Sequence, residues 1–104
     1  MSIPDEIGTP ALLEQAAEEA SELAQATLKL SRKLRGENPC PVELDELKHN
    51  LVEETADLMV CVEQLVVCGL VTEEVIEIVD RKLARWYERI EEAKKDGGSG
   101  CVDS

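Results

Sequence analysis

Five acidic side chains fall at spacings that can do chemistry. Glu18, Glu19 and Glu22 form one group, and Glu54 and Asp57 form another. On a helix, residues three apart lie on one side, about 60° apart around the axis. Glu19 therefore points with Glu22, and Glu54 with Asp57. If the two helices pack antiparallel, four carboxylates face one another. Like charges that close raise each other's pKa unless a cation sits between them. Oxygen-only ligands suit a hard cation, Mg²⁺ or Mn²⁺. The competing reading is a solvated acidic face, the usual fate of a charge run.

The second group carries an additional signal. Leu44, Leu47, Leu51, Leu58, Cys61, Leu65 and Cys68 alternate in steps of three and four residues, a packing seam whose slot between Leu51 and Leu58 is filled by Glu54. A carboxylate on such a seam must be paired, protonated or metal-bound. That requirement favours a site over a solvated face.

The elements that position these groups are all helical. Thr9 and Pro10 predict a cap and first turn, and Leu13, Ala16, Ala17, Ala20, Leu23, Ala24, Thr27, Leu30 and Leu34 give a long apolar stripe. Gly36 to Pro41 forms a turn segment with two prolines that block helix continuation. A second helix is expected from about Val42 to Val67, apolar almost all round from Leu58 onward and hence buried on more than one side. Thr72 is expected to cap a third, with Ile76, Val79, Leu83, Trp86 and Ile90 as its stripe. No strand pattern or internal repeat interrupts this series. The fold class is all-α: three long helices per chain, completed as a bundle by homo-oligomerisation. Residues 1–9 read as an irregular lead-in, 10–95 as a single helical domain and 96–104 as a flexible tail.

Other residues admit two readings each. Lys29, Arg32, Lys33 and Arg35 close the first helix, where dipole complementation accounts for them and a basic rim beside an acidic site is the alternative. Lys82, Arg85 and Arg89 form a strip that can hold phosphates or pair with neighbouring acids. Core packing is the default for Trp86, with base stacking as the alternative. His49 has no second His at ligand spacing and reads as solvent-facing or structural. Cys61 and Cys68 read as small buried hydrophobes on one helix face, too far apart to bridge. Cys40 falls in the Pro-flanked turn and Cys101 in the tail, and no spacing supports zinc.

Composition bounds the function. The 104 residues carry a net charge of −12, which argues against a nucleic-acid or anionic-membrane binder. A small phosphorylated substrate stays open, because a metal reverses the local sign. No apolar run reaches membrane-spanning length, and the N-terminus lacks the features of a signal peptide, so a cytoplasmic location is expected. With no Phe, one Trp and one Tyr, the core rests on Leu, Val and Ala.

Glu18-Glu19-x-x-Glu22 followed by Glu54-x-x-Asp57 resembles the EExxE…ExxD signature of the all-α nucleoside triphosphate pyrophosphohydrolases, the MazG-like superfamily. Leu12, Leu13 and Leu23 around the first half, and Leu58-Met59-Val60 after the second, extend the likeness over about residues 10–92. The resemblance implies Mg²⁺ on Glu19, Glu22, Glu54 and Asp57, with Glu18 orienting water or assisting binding. Lys82 and Arg89 match the ends of the family's Lys-x-x-x-Asn-x-x-Arg pattern, where the Asn position is Trp86 here. It further implies hydrolysis of a (d)NTP to the monophosphate and pyrophosphate, in a homodimer or homotetramer. Two alternatives are a phosphoribosyl-ATP pyrophosphohydrolase and a non-catalytic acidic interaction module.

Overall fold

The computed structural model describes residues 1–37 and 41–97. Cys40 and Cys101 lie outside these residues, as does nearly all of the expected tail. Every regular element among them is a helix: α1 (Ile3–Ile7), α2 (Thr9–Arg35), α3 (Leu44–Val67) and α4 (Glu74–Lys95). The all-α expectation holds. The chain divides into two compact units, one spanning Met1–Leu70 and the other beginning at Val71.

The expected irregular lead-in contains a helix. The Ser2 hydroxyl accepts from the Asp5 N–H at 3.2 Å, Pro4 occupies the first turn, and Asp5 and Glu6 face the positive end of the dipole. Pro4 is buried, and α1 packs on both α2 and α3. The chain then turns at Gly8, at φ 85°, in the range that favours glycine. Gly8, not Thr9, caps α2, and Pro10 lies in its first turn.

α2 and α3 form a hairpin packed along its length. The face that α2 turns inward consists of Leu12, Ala16, Glu19, Leu23, Ala26, Leu30 and Lys33, all buried or half-buried. This face is offset from the expected stripe by one position at its start. Leu12 is 2% exposed whereas Leu13 is 47% exposed. The α3 seam is as expected: Leu47, Cys61 and Leu65 are buried, and Leu44, Leu51, Glu54, Leu58 and Cys68 are half-buried.

α3 starts at Leu44, two residues later than expected, because Glu43 is still extended at φ −65°, ψ 147°. It ends in a Schellman arrangement. Gly69 N–H donates to the Val66 carbonyl and Leu70 N–H to that of Leu65, both at 3.0 Å, with Gly69 at φ 82°. In its second half Cys61 and Leu65 are buried, while Met59, Val60, Val66 and Val67 are exposed.

In the second unit, α4 starts at Glu74, with Glu73 as its cap residue. Thr72 contributes its carbonyl, which accepts from Val75 N–H at 3.1 Å, and makes no side-chain cap. Ile76, Val79, Leu83 and Trp86 are all exposed and Ile90 is half-buried. Among the described residues, no helix is long and apolar enough to cross a membrane.

Candidate metal centre

The hairpin brings the acidic groups together. One carboxylate oxygen each from Glu19, Glu22 and Glu54 lies within 4.8 Å of the other two. The packing explains why. Glu19 holds a slot on the α2 face and Glu54 a slot on the α3 seam, so both are carried inward by the apolar residues a turn away on either side. Glu22, one turn after Glu19, stands at the exposed edge.

Solvation at this point is incomplete. Oε2 of Glu19 and Oε2 of Glu54 are out of contact with solvent and accept no hydrogen bond. Desolvating a carboxylate oxygen without a partner is costly. The other Glu19 oxygen accepts from the Gln15 amide at 2.8 Å.

The electrostatics follow from the crowding. Partial burial pushes the Glu19 carboxyl up from its ordinary range, the Gln15 hydrogen bond opposes this, and Glu22, Asp57 and Glu18 add repulsion. Glu22 is raised by burial and then by Glu54, with which its carboxyl can share a proton, and by Glu18 and Asp57. Cys61, buried one seam step beyond Leu58, has its thiol pushed up by burial and by Glu19 and Asp57. It is a packed, neutral thiol.

Glu18 and Asp57 are exposed, outside the trio but close enough to raise Glu19 and Glu22. Lys82, Arg85, Trp86 and Arg89 belong to the second unit, where with Val79 and Leu83 they line a cleft of about 550 Å³ along α4. His49 faces solvent, 3.3 Å from the Glu53 carboxylate.

Three residues near the trio escaped sequence reasoning as site members. Gln15 stands four before Glu19, Gln25 three after Glu22, and Asn50 four before Glu54. Those spacings mark side chains on the same helix faces as the acids. Gln25, Lys29 and Asn50 line a cleft of about 300 Å³ between α2 and α3, together with Glu22, Ala26, Leu47 and Glu54.

The donor set fits a small hard cation. All three candidate donors are carboxylates, and Glu19 and Glu54 each carry a buried oxygen with no hydrogen-bond partner. Ligands of an octahedral Mg²⁺ at about 2.1 Å stand at most about 4.2 Å apart. The three carboxylates already offer oxygens within 4.8 Å of one another, so side-chain adjustment toward that spacing would seat the ion. No protein-family model, curated protein or solved structure matches the chain.

Proposed function

We propose that this chain is a Mg²⁺-dependent nucleoside triphosphate pyrophosphohydrolase, converting a (d)NTP and water to the monophosphate and pyrophosphate. The observation that carries the reading is the buried, unpartnered oxygen on each of Glu19 and Glu54, meeting Glu22 across a helix hairpin. Mutual repulsion and lost solvation make this arrangement unfavourable unless a cation neutralises it. The EExxE…ExxD resemblance supplies the reaction class.

Glu19, Glu22 and Glu54 would hold Mg²⁺, or Mn²⁺ in its place, with Asp57 and Glu18 completing the negative field around it. Bound there, the metal would offset the charge of a triphosphate and acidify a coordinated water. Gln15 donates to one Glu19 oxygen and leaves the other, buried one without a partner. Lys82, Arg85 and Arg89 would contact phosphates, and Trp86, 44% exposed beside them, offers a ring face for a base.

A homodimer or homotetramer completes this reading. Exposed Met59, Val60, Val66 and Val67 on α3, and in the second unit exposed Ile76, Val79 and Leu83 on α4, support it.

The test is pyrophosphate release from the common ribo- and deoxynucleoside triphosphates and dUTP, with and without Mg²⁺. Mg²⁺-dependent release of pyrophosphate and monophosphate is expected. A folded, metal-binding sample inactive on all of them would shift the reading to phosphoribosyl-ATP. A sample that binds no metal would be a non-catalytic acidic module.

A further inference from the structure

The cleft between α2 and α3 extends beyond the carboxylates, and its lining changes character along the way. On α2 it runs from Glu22 through Gln25 and Ala26 to Lys29, and on α3 from Glu54 through Asn50 to Leu47. It is acidic at one end, amide-lined in the middle and cationic at the other. Among the described residues, the side chains of Gln25, Lys29 and Asn50 make no hydrogen bond or ion pair. Lys29 shares the cleft with two glutamates and bridges to neither.

Dipole complementation does not account for Lys29. That effect falls off within the last turn of a helix. The last turn of α2 already carries Arg32, Lys33 and Arg35, and Lys29 lies before it. A cation that neither caps the helix nor neutralises its acidic neighbours is free for a ligand. The amide groups of Gln25 and Asn50 supply N–H donors between it and the acids. Lys29 is seven residues beyond Glu22, about 10 Å along the helix at about 1.5 Å per residue. Its flexible stem covers part of that distance. A ligand joining both ends must therefore carry linked phosphates, not one.

We propose that Lys29, with Gln25 and Asn50, forms a polyphosphate-binding subsite at the far end of the cleft that begins at Glu22 and Glu54. It takes the outer phosphates of a metal-bound di- or triphosphate. This inference rests on the metal reading above. No covalent step is added. Lys29 contributes a charge-assisted hydrogen bond to a phosphate oxygen, and the two amides fix the direction of the chain.

The experiment is calorimetric, on the full chain, with Mn²⁺ alone, Mg²⁺ with tripolyphosphate, and Mg²⁺ with inorganic phosphate as probes. Lys29→Met keeps an exposed helical position filled by a good helix former, and Arg32→Met is the control in the dipole turn. Lys29→Met is expected to leave Mn²⁺ affinity within about twofold and to weaken tripolyphosphate about tenfold, the scale of one hydrogen bond to a charged group. Arg32→Met should weaken neither, and inorganic phosphate should bind much more weakly than tripolyphosphate. Unchanged tripolyphosphate affinity in Lys29→Met, with Mn²⁺ binding intact, overturns this subsite and leaves the metal reading standing. Equal losses in Lys29→Met and Arg32→Met overturn it in favour of general electrostatics. Absence of Mn²⁺ binding to the unsubstituted chain overturns both readings.

Discussion

Glu19 of α2 and Glu54 of α3 occupy matching places in two facing apolar seams, and each buries one oxygen that nothing in the hairpin satisfies. Each is flanked along its helix by apolar residues: Ala16 and Leu23 on one side of the hairpin, Leu51 and Leu58 on the other. The apolar packing that stabilises the hairpin is therefore the same packing that drives two carboxylates together. Removing either charge separates their contribution to function from their cost to the fold.

Glu54→Gln keeps the volume and loses the charge. Turnover should fall by at least about a hundredfold, because a metal ligand is lost. Helix content by circular dichroism should be unchanged, since the α2–α3 seam keeps its apolar contacts. Near-normal pyrophosphate release from the variant would rule out the carboxylate centre.

The raised carboxyls make a prediction about pH. Partial burial and the neighbouring acids hold Glu19 and Glu22 above the ordinary 4.5 in the folded state. The folded chain then binds protons more tightly than the unfolded chain. The contribution of these groups to stability is greatest below the ordinary value and declines as pH rises through the folded values. In chelator, Glu22→Gln should therefore gain stability relative to the unsubstituted chain between about pH 4.5 and 7.5. Urea midpoints across that range measure the gain, and a parallel pair of curves would contradict it.

Mg²⁺ should reverse that order. A ligand bound only by the folded state stabilises it by about 2.7 kcal/mol at a hundred times its Kd. The unsubstituted chain should show a melting temperature that climbs with Mg²⁺ and drops with chelator, while Glu22→Gln responds weakly. Na⁺ at matched ionic strength separates site binding from general screening of the −12 net charge.

Leu12 and Leu13 provide a direct test of which face of α2 is inside. Leu12→Ala removes a side chain 2% exposed and should cost about 2–5 kcal/mol. Leu13→Ala, at 47% exposure, should lie within about 0.5 kcal/mol of the unsubstituted chain unless another copy covers it. Urea unfolding measures both, and equal losses would place the inner face elsewhere.

This pair also shows how far the sequence could be read. The α3 seam was legible because leucines at three- and four-residue steps leave one conspicuous gap, filled by Glu54. The α2 face was not, because six alanines between Ala11 and Ala26 fit either side of the helix and gave no sharp edge. Glu19 consequently read as one acid in a charged turn, when it is the α2 counterpart of Glu54. The α1 helix was written in Ser2-x-x-Asp5 and Pro4, a capping pattern obscured by the brevity of the segment. Hydrophobicity all round residues 58–67 reports total apolar surface, of which the hairpin partner accounts for one side. Residues on α2 within a turn of the acids, Gln15 and Gln25, became visible as neighbours of the site only once the helices were paired.

The two inward glutamates also act as an alignment key for the hairpin. Both seams repeat every seven residues, so leucine packing alone would tolerate α2 sliding along α3 by one repeat. Such a slip would set Glu19 against the level of Leu47 or of Cys61, both buried. Each alternative strands a charge on an apolar surface with no partner, and leaves Glu54 facing another apolar residue in turn. Only one alignment lets both carboxylates meet, and only there can a single cation relieve them together. With a cation between them, the acids that make the native pairing costly would favour it over its neighbours, so the proposed site would select the fold that builds it.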